Sequence, residues 1–120
     1  MSNCTITVSI GELYDRYSIL QIKKRKIVDV EKIKFVDKEL YFLKSFIDVN
    51  ADLYKHIETV NAQLWDIEDK IREKEKQQAF DDEFIQLARL VYKTNDERSI
   101  IKNKINSLYN SEFKEIKSYT

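Results

Sequence analysis

Apolar residues recur at steps of three and four along most of this chain, which is the spacing of helices with one buried face. Ile10, Leu13, Tyr14, Tyr17 and Leu20 share one face of a first helix. Ser9 and Glu12 stand as a capping box at its start, with Ser9 as N-cap and Glu12 reaching back. Lys23-Lys24-Arg25-Lys26 closes it, where positive charge suits a helix C-terminus. Asp29 is placed to cap a second helix with Ile33, Val36, Leu40, Leu43 and Ile47 along its seam, ended by Asp48-Val49-Asn50. A third helix runs from about Asp52 to Gln77 on Leu53, Ile57, Val60, Leu64, Ile67 and Ile71. A fourth, capped by Asp81 or Asp82, carries Phe84, Leu87, Val91, Thr94, Arg98, Ile101, Ile105 and Leu108.

The last two seams match each other. A fold-back near Ala79 sets 71 against 87, 67 against 91, 64 against 94, 60 against 98, 57 against 101 and 53 against 105, every pair summing to 158. Six matched layers predict an antiparallel hairpin with a coiled-coil-like seam and an arm of roughly 40 Å. The expected architecture is all-α: this hairpin plus two further helices, a three- or four-helix bundle forming one domain over residues 1–120. Thr5-Ile6-Thr7-Val8 alternates like a short strand, with Ile116-Lys117-Ser118-Tyr119 or a second subunit as its partner.

The totals agree with long helices. One Gly and no Pro leave few breaks, and 35% charged against 42% apolar residues suits helices with one wet face. Lys+Arg and Asp+Glu are both 21, so no overall field attracts nucleic acid or an anionic membrane. A lone cysteine, Cys4, excludes an intramolecular disulfide. No apolar run reaches the roughly 18 residues of a membrane span, and the start has no signal-peptide pattern, so the expected compartment is cytoplasmic. So long and aromatic a hairpin predicts exposed apolar surface and a homodimer.

The helix-4 seam is interrupted by Thr94, Asn95 and Arg98. Beside the helix-3 seam runs a second stripe, Glu58, Asn61, Trp65, Glu68 and Arg72. The same register puts Asn61 near Asn95 and Arg98, Trp65 near Tyr92, and Glu68 near Arg89, with Asp69 and Asp96 flanking. Two readings stay open. Buried polar residues fix register and partner choice at a cost in stability. Alternatively the patch lines a pocket for an anionic or ring-bearing small molecule, because sites are where local rules fail.

Leu64-Trp65-Asp66-Ile67-Glu68-Asp69-Lys70-Ile71-Arg72, followed by Thr94-Asn95-Asp96-Glu97-Arg98, resembles the signature of a helical domain of unknown function from bacteria and phages. Ser9-Ile10-Gly11-Glu12-Leu13-Tyr14-Asp15 and the terminal Lys117-Ser118-Tyr119 match the same pattern. A second uncharacterised helical family shares a shorter Leu-Trp-x-x-Glu-Asp and Asn-x-x-Arg form. Its association with cell-surface polysaccharide genes implies sugar or nucleotide-sugar metabolism. Neither resemblance supplies an activity.

Other chemistry is thinly represented. Asp66, Asp69 and Glu73 with Asp96-Glu97 resemble the Mg²⁺ ligands of all-helical nucleotide pyrophosphatases, but Lys70, Arg72 and Lys74 interrupt them. Asp15-Arg16 and Lys23-Lys24-Arg25 are similar to the first helix of helical chorismate mutases, and nothing else of that pattern follows. With one histidine, His56, and one cysteine, no zinc site or Cys–His nucleophile can be assembled. The sequence therefore predicts a helical binding or interaction module with no catalytic residue, metal or cofactor. A small metal-dependent enzyme on nucleotides or nucleotide sugars and a purely structural protein are the alternatives.

Overall fold

The computed structural model describes residues 2–118, and among them the chain is all helical. Helix α1 spans Ile10–Lys26, α2 Val30–Leu43, α3 Asp52–Lys76 and α4 Asp82–Leu108, with one 3-10 turn at Lys44–Phe46. The starts of three helices follow from local chemistry. Ser9 Oγ accepts from the Glu12 amide at 3.1 Å, Asp29 accepts from the amides of Glu31 and Lys32, and Asp81 accepts from that of Phe84 at 3.0 Å. Each satisfies backbone donors that a helix start leaves open. The capping box at α1 is only half formed, because the Glu12 carboxylate turns to Lys102 instead of its own backbone.

α3 and α4 form the hairpin, α1 lies against both, and α2 packs on α1. One contiguous cluster holds these together: Tyr14, Tyr17 and Leu20 of α1, Val36 and Leu40 of α2, Tyr54, Ile57 and Val60 of α3, Ile101 and Ile105 of α4. All of these except the α1 tyrosines' partner Tyr54 lie on seams read from the sequence. The far half of the hairpin is thinly covered, since between residues 62 and 93 only Leu87 is buried. That uncovered arm stretches the fold: its radius of gyration is 16.1 Å, against about 13.5 Å for a compact chain of this length.

The expected strand at Thr5–Val8 does not form; no strand occurs among the described residues. Its backbone finds no sheet edge. The C-terminal segment is held elsewhere: the Asn103 amide donates to the Glu115 carbonyl at 2.9 Å and accepts from the Glu115 N–H at 2.8 Å. Tyr119, part of the suggested partner segment, lies outside the described residues.

The hairpin turns without glycine. Gln78 takes the left-handed conformation (φ 54°) just past α3, with the Ala79 amide donating to the Lys74 carbonyl at 2.9 Å and the Gln78 amide to that of Glu75 at 3.1 Å. This is a Schellman ending with a residue that pays a steric cost for its backbone angle. Lys74 bridges the turn to Asp81 at 2.9 Å and Glu83 at 3.2 Å.

The one glycine serves a close approach instead. At Gly11, α1 meets α4 so tightly that a Cβ would lie 2.5 Å from the Lys102 carbonyl oxygen and 2.7 Å from Asn106 Oδ1. Asn106 Oδ1 accepts from the Gly11 N–H at 2.6 Å, and Ser111 Oγ from that of Ile10 at 3.0 Å.

Two substitutions check these readings by chemical denaturation. Gln78→Gly is expected to stabilise the chain by about 1 kcal/mol by removing the left-handed penalty. Gly11→Ala, which in an ordinary helix gains up to about 1 kcal/mol, is expected to lose about 1–3 kcal/mol here.

Candidate functional site

At the junction of α1, α3 and α4 a carboxylate is buried. Asp15, in the middle of α1, is 2% exposed. Arg98 of α4 meets it side-on, donating from Nε to Oδ1 at 2.8 Å and from Nη2 to Oδ2. Asn61 of α3 donates to the same Oδ1 at 2.8 Å and to Ser18 Oγ at 2.7 Å, and Ser18 returns its hydroxyl to the Asp15 carbonyl at 2.7 Å. Lys102 stands one turn along from Arg98, 3.7 Å from Asp15 Oδ2, 2.8 Å from Glu12 and 3.0 Å from Glu115. Three helices thus meet on one anion.

Local sequence explains why these groups converge. Gly11, Asp15, Ser18 and Ile22 recur at steps of four, three and four, and all four are buried. They form a second stripe on α1, beside the tyrosine face, that turns toward the hairpin. Its glycine lets α4 come close, and its carboxylate meets the interruption of the α4 seam at Arg98. The arginine that periodicity assigns to an apolar layer is therefore paired and not stranded.

A cleft of about 210 Å³ opens beside this network. Its apolar wall is Ile19, Leu64 and Trp65, and its polar groups are Asn61, Glu68, Asp69, Arg72 and Arg98. Trp65 is half-buried, and its indole N–H donates to no protein acceptor among the described residues. Arg72 pairs with Glu68 along the same helix at 3.5 Å. Two more hollows reach Arg98 from other sides. One of about 250 Å³ includes Arg16, Lys23 and Glu39, and one of about 370 Å³ includes Asn95, Lys102, Glu115 and Lys117. A larger, more open groove of about 720 Å³ runs past Arg25 and Glu58, with Val49, Tyr54 and Ala62 as its apolar residues.

Of the ten residues singled out in the sequence, six share the Trp65 cleft: Asn61, Trp65, Glu68, Asp69, Arg72 and Arg98. Asn95 sits on the other side of Arg98, 3.4 Å from its Nη1. Asp96 is taken by Lys117 at 2.8 Å. Arg89 and Tyr92 are exposed and line none of these hollows, so the expected Trp65–Tyr92 and Glu68–Arg89 pairs are not made. Both residues sit at the expected height along the hairpin but on its outer face. Asp66, Asp69, Glu73 and Asp96 are likewise dispersed, with Asp66 paired to Lys26 at 3.8 Å. No group of three or more metal-ligating side chains occurs among the described residues. The Lys23–Lys26 cluster is largely spent on ion pairs, Lys24 with Asp37 and Arg25 with Glu58.

The sequence profile of a family of unknown function, DUF6165, matches residues 4–120. The chain belongs to DUF6165. No curated protein and no solved structure matches it significantly. Among the described residues of this DUF6165 chain, no helix is long and apolar enough to cross a membrane.

Sequence reasoning passed over Asp15 as the centre, and with it Ser18, Lys102 and Asn106. The electrostatics of the centre are clear in direction. Burial alone would raise the Asp15 pKa, but hydrogen bonds from Arg98 and Asn61 and the charges of Arg98 and Lys102 outweigh it and hold the carboxyl below its ordinary range. Burial would likewise lower the Lys102 pKa, and pairing with Glu12 and Glu115 reverses this, leaving it raised.

The sign follows by linkage. A depressed Asp15 contributes stability that is present above the unfolded value near 3.9 and is lost as pH falls through the folded value. A raised Lys102 contributes stability present below about 10.4 and lost as pH climbs through its folded value. Urea midpoints against pH are therefore expected to decline on the acid side below about pH 4, and Asp15→Asn is expected to flatten that part of the profile. Arg98→Leu, which strands a buried carboxylate, is expected to cost about 3–5 kcal/mol. The double variant Asp15→Leu with Arg98→Leu is expected to recover much of that loss, and a double-mutant cycle measures the coupling.

Proposed function

We propose that this DUF6165 chain is a helical binding module whose Trp65 cleft takes one small, uncharged, hydroxyl-bearing ring of the size of a pyranose. The observation that carries the reading is the half-exposed indole at the wall of a cleft rimmed by planar hydrogen-bonding groups. An aromatic wall offers a face to the C–H side of a ring, while carboxylate, amide and guanidinium groups take hydroxyls from the edge. The cleft is smaller than the roughly 300 Å³ at which drug-sized ligand pockets begin, which favours a single ring.

Charge argues for a neutral ligand over an anionic one. Arg98 spends Nε and Nη2 on Asp15, and Arg72 is paired with Glu68. Asp69, at the rim, has no cation within ion-pair distance among the described residues. A phosphate would meet uncompensated negative charge there. The resemblance to helical proteins of polysaccharide gene clusters points the same way. A metal-dependent enzymatic role has less support, because Asp66 and Asp96 are paired elsewhere and no three metal-ligating side chains come together among the described residues.

A second reading rests on the Asp15 network itself. Its donors and acceptors are satisfied within the protein, as expected of a device that only fixes helix register.

Trp65 is the sole tryptophan, so its fluorescence reports on the cleft directly. Titration with glucose, galactose and N-acetylglucosamine is expected to give a saturable change for at least one, in the millimolar range. Asp69→Ala is expected to weaken that binding several-fold, and sorbitol and inorganic phosphate are expected to give no saturation. Saturation by phosphate alone would make the ligand an anion and sink the proposal. Silence to every pyranose up to about 100 mM would leave the register reading in its place.

A further inference from the structure

α2 is apolar on two opposite sides. Val36 and Leu40 are buried toward the core. On the other side Val28, Phe35, Phe42 and Phe46 are each between 59% and 93% exposed, with Tyr41 packed edge-on against Phe42 at 5.9 Å. Phe35 and Phe42, seven residues apart, lie on one line of α2, with Val28 just before its N-cap and Phe46 in the turn that follows. A helix apolar on both sides is normally buried on both.

We propose that this outer stripe is the interface of a homodimer in which α2 packs antiparallel against α2 of a second copy, about a two-fold axis between Lys38 and Glu39. Two observations choose a second copy as the occupant.

The first is area. At about 200 Å² per ring, the exposed parts of Phe35, Tyr41, Phe42 and Phe46 amount to on the order of 500 Å². With Val28 and its neighbours the patch approaches the roughly 800 Å² per partner of a standard stable interface, and it stands at the upper end of the roughly 300–600 Å² that a monomer leaves open.

The second is self-complementarity, which a two-fold interface demands of its own sequence. An axis between 38 and 39 sets Phe35 of one copy on Phe42 of the other, twice. Moving the axis by one residue to Glu39 would set Phe35 against Leu43 and Phe42 against Val36, both of which face the core. Glu39 itself turns back to Arg16 of α1 at 2.9 Å, so the contact at the axis rests on the phenylalanines. The stripe lies on the opposite side of α2 from α1, so the dimer leaves the Trp65 cleft open and does not depend on the reading of that cleft.

Sedimentation equilibrium of the full chain between about 1 and 100 µM is expected to give twice the 14.4 kDa chain mass. Phe42→Lys, at an exposed position, is expected to give the monomer mass with unchanged helical circular dichroism. Phe35→Glu is likewise expected to weaken the dimer at least tenfold, and Phe35→Glu together with Phe42→Lys is expected to restore part of it by setting opposite charges face to face, which only this register requires. A monomer throughout the range would overturn the proposal. So would a dimer indifferent to Phe42→Lys, or a double variant as weak as its parents.

Discussion

Everything in this fold converges on one buried anion. Asp15 is withdrawn from water by three helices, and that withdrawal is tolerable only because each neighbour brings a donor: Arg98 two, Asn61 one, with Lys102 in electrostatic range. A leucine layer at the same height would hold the helices as strongly with fewer demands on geometry. A carboxylate gripped side-on by a guanidinium accepts one rotation and one height of α4 relative to α1. The hydrophobic cluster supplies the adhesion, and the ion pair selects among the ways of adhering.

The helices were legible because their signals are local. Ser9, Asp29 and Asp81 cap where their side chains can reach the next turn, and the seams repeat every three or four residues. The centre was illegible for the opposite reason. Asp15 and Arg98 are 83 residues apart, and neither alone distinguishes a buried pair from two solvated charges. A trace did exist in the heptad spacing of Gly11, Asp15, Ser18 and Ile22, small and polar residues where a wet face would carry lysine and glutamate.

The candidate cleft shows how far a register argument goes. Summing positions across a hairpin fixes height along the axis, and so Asn61 and Arg98 were rightly placed together. It does not fix direction. Arg89 lies about 200° around α4 from the buried Leu87, at the right level on the wrong side. The strand expected at Thr5–Val8 failed on a related point: alternation describes a segment, while a sheet needs a free edge elsewhere, and Asn103 had engaged the Glu115 backbone.

The start of α1 has a consequence for how the chain is made. Its backbone donors at Ile10 and Gly11 find their acceptors on Ser111 and Asn106, 101 and 95 residues further on. During synthesis the first helix leaves the ribosome long before those acceptors exist, so its opening turn stays hydrated and its glycine has nothing to pack against. The hairpin, whose contacts are close in sequence, can assemble as soon as both its arms have emerged. The first helix to be born is then the last to be completed, docking by its N-terminal end onto a scaffold made after it.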